Sequence, residues 1–192
     1  MKTLAYQSEG IFKDKGSKFI SRAFPINKEE DIKLHLEKLK KEYHTARHYC
    51  YAYRIGENGN SWRVNDDDEP SGTAGKPIFG QFLKYELSNV LVVVVRYFGG
   101  VLLGKGGLIT AYRNATEEAI KNNQIIEIET KVNVLIESNE TKLNPLMTEL
   151  KKLQAEVYEI NFIEEYQFKA RINKKYLEDL KKFSLNKLTI ID

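Results

Sequence analysis

The sequence predicts an α+β protein of two domains, an α/β domain over residues 1–127 and a ferredoxin-like βαββαβ domain over residues 128–192. Three observations carry that prediction. The run Val90–Val95 is apolar throughout and almost entirely β-branched, as a central strand buried on both faces would be. Amphipathic segments at helical spacing lie on either side of it. From Lys131 onward, strand and helix patterns follow one another in the order βαββαβ, the ferredoxin-like motif.

Residues 9–13 and 18–24 read as two strands around the turn signal Asp14-Lys15-Gly16-Ser17. A helix is expected over residues 28–42, where Ile32, Leu36 and Leu39 recur at helical spacing among charges, with Asn27 as its cap. Tyr49–Ile55 reads as a strand, Glu57–Asn60 as a hairpin loop and Ser61–Val64 as the return strand. Asn65–Pro77 is a polar loop without periodicity. Pro77 suits the first turn of a helix that Phe79, Phe82, Leu83 and Leu87 continue. After Val90–Val95 and a glycine-rich turn, Leu108, Ala111, Tyr112, Ala115 and Ala119 mark the inner face of a helix ending near Asn122-Asn123. Gln124–Thr130 has no Gly or Pro and is expected to be a short stiff link. Beyond it, strands are expected at Lys131–Glu137, Ala155–Ile163, Glu165–Ile172 and Lys187–Ile191, with helices at Leu143–Leu153 and Tyr176–Phe183.

A composition of 42% hydrophobic and 30% charged residues is that of a globular chain rather than a disordered one. No apolar run approaches the roughly 20 residues of a membrane span, and no secretory leader is expected behind Met1. The single cysteine, Cys50, excludes an internal disulfide and a multi-cysteine zinc site. A cytoplasmic protein is expected. The net charge is +3, so the chain as a whole is not a strongly basic nucleic-acid module, and only a local patch would bind one.

Such a patch is offered by the stretch Arg96–Leu108, RYFGGVLLGKGGL, where five of the chain's twelve glycines stand. Gly99 to Lys105 matches G-x-x-x-x-G-K, but a P-loop needs Ser or Thr next and Gly106 stands there. No apolar strand ending in Asp follows in the same domain. The stretch is therefore a strand-to-helix glycine turn. Helix-start amides and dipole favour an anion there. No acidic residue lies between Glu86 and Glu117, while Arg96, Lys105 and Arg113 are basic. The bland alternative is that the glycines let the turn pass close under other backbone.

Asp66, Asp67, Asp68 and Glu69 form a run of four carboxylates, a magnesium site if they converged and a solvated turn or a partner for the cations if they did not. His44 and His48 have the i, i+4 spacing of a helical zinc pair but lack the catalytic glutamate, and Tyr49 onward reads as strand. Cys50 reads as a core thiol. No G-x-S-x-G elbow is present.

Three blocks in order, HYCYAYRIG (48–56), DDDEPSGTAGKPI (66–78) and VVVVRYFGGVLLGKGGLITAYRNA (92–115), resemble the IMPACT/YigZ family in its bacterial two-domain form. The resemblance implies that the N-terminal domain has the fold of the second domain of a small-subunit ribosomal protein, shared with elongation factor G domain IV and the GHMP kinases. It implies a C-terminal domain similar to elongation factor G domain V. Eukaryotic members act in translation control by competing for the activator of an initiation-factor kinase, a pathway that bacteria lack. Two positions depart from the family pattern: Asp68 replaces the usual glycine of the acidic loop, and Lys105 stands where a small residue is commoner. Some relatives carry a proline-dipeptidase label, but the paired metal ligands that such a peptidase needs are not visible in this sequence.

The expectation is a translation-linked binding or regulatory protein rather than an enzyme, with RNA, the ribosome or a protein as partner and no membrane. The anion- or nucleic-acid-binding candidates are Arg96, Tyr97, Gly99, Gly100, Lys105, Gly106, Gly107 and Arg113, with Tyr97, Phe98 and Tyr112 as stacking surfaces if exposed. The signature loop facing them would contribute His48, Asp67, Glu69, Ser71 and Thr73. The alternative is an enzyme acting on a phosphorylated small molecule, with phosphate on the glycine turn and Asp67 and Glu69 as metal ligands or base. No catalytic residue, cofactor or metal is assigned, and the oligomeric state is left open.

Overall fold

The computed structural model describes residues 1–138, 141, 143–162, 166–183 and 188–191. The chain divides into two units, Met1–Ile128 and Glu129–Asp192.

The first unit is built on a five-stranded sheet. Its strands are β2 (Ser8–Asp14), β3 (Ser17–Pro25), β4 (His48–Ile55), β5 (Ser61–Asn65) and β6 (Val90–Tyr97). They lie in the order β2-β3-β6-β4-β5, and every neighbouring pair is antiparallel. Helix α1 (Glu30–Glu42) covers one face; α2 (Gly75–Lys84) and α3 (Gly104–Lys121) cover the other. The central strand β6 feeds both cores. Val92 and Val94 pack with Phe82, Ala111 and Tyr112, while Leu91, Val93 and Val95 pack with Ile32 and Leu39. Covering on both faces explains the unbroken apolar run in an antiparallel sheet, which is more often half solvated.

Two short segments depart from expectation. Ile125–Glu127 is not a free link: as β7 it pairs antiparallel with β1 (Lys2–Leu4), joining Lys2 to Glu127 and Leu4 to Ile125. Two three-residue strands far apart in sequence leave no periodic signal. Asn27 does not cap α1. The helix starts at Glu30, and the Asn27 amide instead donates to the Asp31 carboxylate.

The second unit has the order β8 (Lys131–Ser138), α4 (Leu143–Lys152), β9 (Glu156–Phe162), β10 (Tyr166–Asn173), α5 (Leu177–Phe183), β11 (Leu188–Ile191). A single 3-10 turn, Lys174–Tyr176, precedes α5. The sheet order β11-β8-β10-β9, all antiparallel, is the ferredoxin-like arrangement. Val134, Ile136, Phe168, Ala170 and Ile172 of the strands pack with Leu146, Leu150 and Leu180 of the helices. The expected strand ends at Ile163, Glu165 and Lys187 lie outside the described residues.

Candidate functional site

Register brings the acidic loop and the glycine turn to one end of the first sheet. The end of β6 pairs with the start of β4, Arg96 opposite His48, and with the start of β3, Arg96 opposite Phe19. The acidic loop follows β5, and the glycine turn follows β6.

The acidic loop is held by its own carboxylates. Asp66 accepts from the amides of Gly72 (2.8 Å), Ala74 (2.9 Å) and Gly75 (2.8 Å), closing the loop and meeting the first amides of α2. That helix start is thus occupied by a side-chain anion. Asp67 accepts from the Tyr49 amide at 2.7 Å. Its carbonyl lies 2.8 Å from His48 Nδ1, which must carry the proton because a carbonyl only accepts. Asp68 sits at φ +67°, the conformation glycine adopts most easily, so the turn expected of a glycine is kept by an aspartate. Thr73 is buried and donates to the Pro70 carbonyl, whereas Ser71 is exposed.

Glu69 turns inward. Its side chain is 3% exposed and receives Arg96 Nη1 at 2.7 Å and the Tyr112 hydroxyl at 2.8 Å. The Arg96 guanidinium lies 5.4 Å from the centre of the Phe19 ring and 5.6 Å from that of Phe98. Cys50 Sγ donates to the Asp66 carbonyl, and it lies 3.2 Å from the Tyr112 oxygen. Burial pushes both the Cys50 thiol and the Tyr112 phenol up, so both stay protonated. A protonated buried thiol is a packing group, not a nucleophile.

These contacts change the expected cation set. Arg96 is opposed by Glu69 and buried, so it holds the acidic loop to the end of β6 and is not free for an anion. Tyr112 is fully buried. Tyr97 packs with the core on the α1 side, away from Tyr112. Of the three aromatic candidates Phe98, 53% exposed, is the most open to solvent, and Tyr97 is half-buried. Asp67 and Glu69 are engaged by backbone and Arg96, and do not converge as metal ligands. Among the described residues no group of three or more His, Cys, Asp or Glu could hold a metal.

The glycine turn behaves differently. Gly99 is pinned: its amide donates to Ser17 Oγ at 3.1 Å, and a Cβ on it would stand 2.0 Å from the Gly16 carbonyl carbon. The bland explanation of the glycines therefore holds at Gly99. Beyond it the chain emerges. Gly100 and Gly104 have φ of +87° and +70°, and α3 begins at Gly104. The helix starts four residues earlier than its apolar periodicity predicts, because residues 104–107 bury no side chain to mark it. Lys105, Gly106 and Gly107 consequently lie in its first turn, which has no acidic residue and no cap from the Leu103 side chain. Val101 is 53% and Leu102 82% exposed. Lys105 and Arg113 are exposed, with no carboxylate partner among the described residues.

Sequence reasoning singled out neither Lys76 nor Lys84, the α2 cations that line a groove together with Arg113. The signal was present: residues 70–116 hold five Lys/Arg and one carboxylate, Glu86. It also missed that Cys50 and Ser17 buttress the two loops, since neither has any local pattern.

The model of the Impact N-terminal domain matches residues 15–120. The IMPACT family member YvyE of Bacillus subtilis is 35% identical over 83% of this chain and 73% of its own length. The IMPACT family member YigZ of Escherichia coli is 38% identical over 56% of this chain, a match that spans only 53% of that protein. The crystal structure of a protein described only as hypothetical superposes on the whole chain with a TM-score of 0.70 at 24% identity, covering 97% of that protein, and shares its fold. The chain belongs to the IMPACT family.

Proposed function

We propose, from membership of the IMPACT family and the geometry of the glycine turn, that the protein is a translation-linked binding or regulatory protein that contacts RNA or a ribosome-associated surface through this turn. The translation link is carried over from eukaryotic members of the family. The contact surface is argued from this chain. One observation carries it: Phe98, Val101 and Leu102 stand exposed in the turn that leads into α3, where Lys105 and, two helical turns on, Arg113 have no carboxylate partner among the described residues. An exposed aromatic on a turn that leads to cations without carboxylate partners suits a stacked base and the phosphates that follow it, and each stacked base contributes about 1–3 kcal/mol. The bare first-turn amides of α3 add an anion preference.

The test is RNA binding and ribosome co-sedimentation at low salt, with and without nuclease. Wild type binds in a salt-sensitive manner, and Phe98→Ala/Lys105→Ala binds weakly while keeping its thermal midpoint. Absence of binding at low salt, or binding unchanged in the double variant, overturns the proposal. Co-sedimentation that survives nuclease would assign the turn to a protein partner instead.

A further inference from the structure

Helices α2 and α3 enclose an open groove of ≈ 530 Å³ on the outer side of the first unit. We infer that this groove is a track for the phosphate backbone of single-stranded RNA. The inference rests on the RNA-binding role proposed above and extends it to a surface that role does not require.

The groove is lined by Lys76, Gly80, Gln81 and Lys84 from α2 and by Ile109 and Arg113 from α3. Lys76, Gly80 and Lys84 recur every four residues, so they form one ridge of α2. Lys105, Ile109 and Arg113 recur the same way along α3 and lead from the glycine turn into the groove. Each set covers eight residue steps and so spans about 12 Å at 1.5 Å per residue. Lys76 and Arg113 have no carboxylate partner among the described residues. At the far end Lys84 is bonded to Glu117 at 2.8 Å, so its charge is shared. Helix α2 contains no acidic residue at all.

Gly80 is the second, independent observation. A glycine inside a helix is unfavourable and needs a reason. Here a Cβ would meet nothing within 4 Å, so neither packing nor backbone conformation requires it. What the missing side chain does is keep the groove floor low between Lys76 and Lys84. The lining also selects the partner class. An amphipathic peptide helix needs a row of apolar anchors, and Ile109 and Pro77 are the only large apolar side chains here. Two cations without carboxylate partners among the described residues, over a low floor with few apolar anchors, suit a polyanion that carries its charge on a regular backbone. The glycine turn leads into α3, and Ile109 and Arg113 of that helix line the groove, so one strand could stack a base on Phe98 and lay its phosphates along α2 and α3.

The experiment is fluorescence anisotropy with a labelled 20-nucleotide oligouridylate and the full chain, over a series of salt concentrations. Lys76→Glu/Arg113→Glu is expected to lower the salt slope by about 2, one per phosphate contact. Gly80→Gln, which adds a helix-favouring side chain at an open position, is expected to fold with an unreduced thermal midpoint and to bind more weakly. The same charge change on α1, Lys38→Glu/Lys41→Glu, is expected to leave the slope nearly unchanged. If the α1 variant weakens binding as much as the groove variant, or if both groove variants bind as wild type, the groove assignment is overturned. Binding that is insensitive to the groove but lost in Phe98→Ala/Lys105→Ala sinks the track and leaves the glycine-turn role standing. No binding by wild type sinks both. Displacement of the RNA by polyglutamate as effectively as by unlabelled oligouridylate would overturn the choice of RNA in favour of an acidic protein.

Discussion

The acidic loop and the glycine turn sit at the same end of one sheet, and they use their polar groups in opposite ways. In the acidic loop Asp66 gathers three backbone amides, Asp67 takes the Tyr49 amide, and Glu69 is buried against Arg96 and Tyr112. In the glycine turn Gly99 is tied down and Leu103 packs on the core, while Phe98, Gly100, Val101, Leu102, Gly104 and Lys105 are exposed. The run of four carboxylates invites assignment as a metal or catalytic site, yet three of the four hold the loop in shape. The turn, whose Lys105 has no carboxylate partner among the described residues, is the surface proposed for a partner. Charge density along a sequence is a poor guide to a site unless it is known which charges already have partners.

The largest expected effect comes from breaking the buried pair. Glu69→Ala leaves Arg96 uncompensated in the core and removes the acceptor of Tyr112. It is expected to cost about 3–5 kcal/mol in urea unfolding. Glu69→Ala/Arg96→Met should recover most of that loss. A double variant no more stable than the single one would show that the pair is not the reason the loop holds. A smaller effect follows from Asp66→Ala, which strands three amides in a partly buried loop. A loss of about 1–3 kcal/mol is expected, with faster hydrogen exchange at Gly72, Ala74 and Gly75. The smallest effect is on the other side of the comparison. Val101→Ser/Leu102→Ser should change stability by no more than about 0.5 kcal/mol, since neither residue is buried. A larger loss would mean that the turn packs on something, and the contrast between the loops would fail.

Much of the fold was legible in the sequence because burial leaves a periodic trace. The β6 run, the inner face of α3 from Leu108 to Ala119 and the βαββαβ order of the second unit are patterns of which side chains must avoid water. The family blocks were legible too, because they are contiguous. Segments without a buried stripe were not: β1 and β7 are three residues each, and the first turn of α3 buries nothing.

The site divided along the same line. By itself the sequence determined that a glycine turn joins a buried strand to a helix, that cations flank it and that carboxylates precede it. Only the tertiary structure decided which of these charges cancel. Glu69 and Arg96 are 27 residues apart and meet because β6 ends, and the acidic loop lies, at the same end of the sheet. Tyr97 and Tyr112 are separated to opposite faces because strand neighbours alternate sides and only one side lies under α3. Lys76 and Arg113 come to line one groove because α2 and α3 pack side by side on the same face. Periodicity is a local property and can be read along the chain. The pairing of distant charges depends on how the chain closes on itself, and no single segment carries that information.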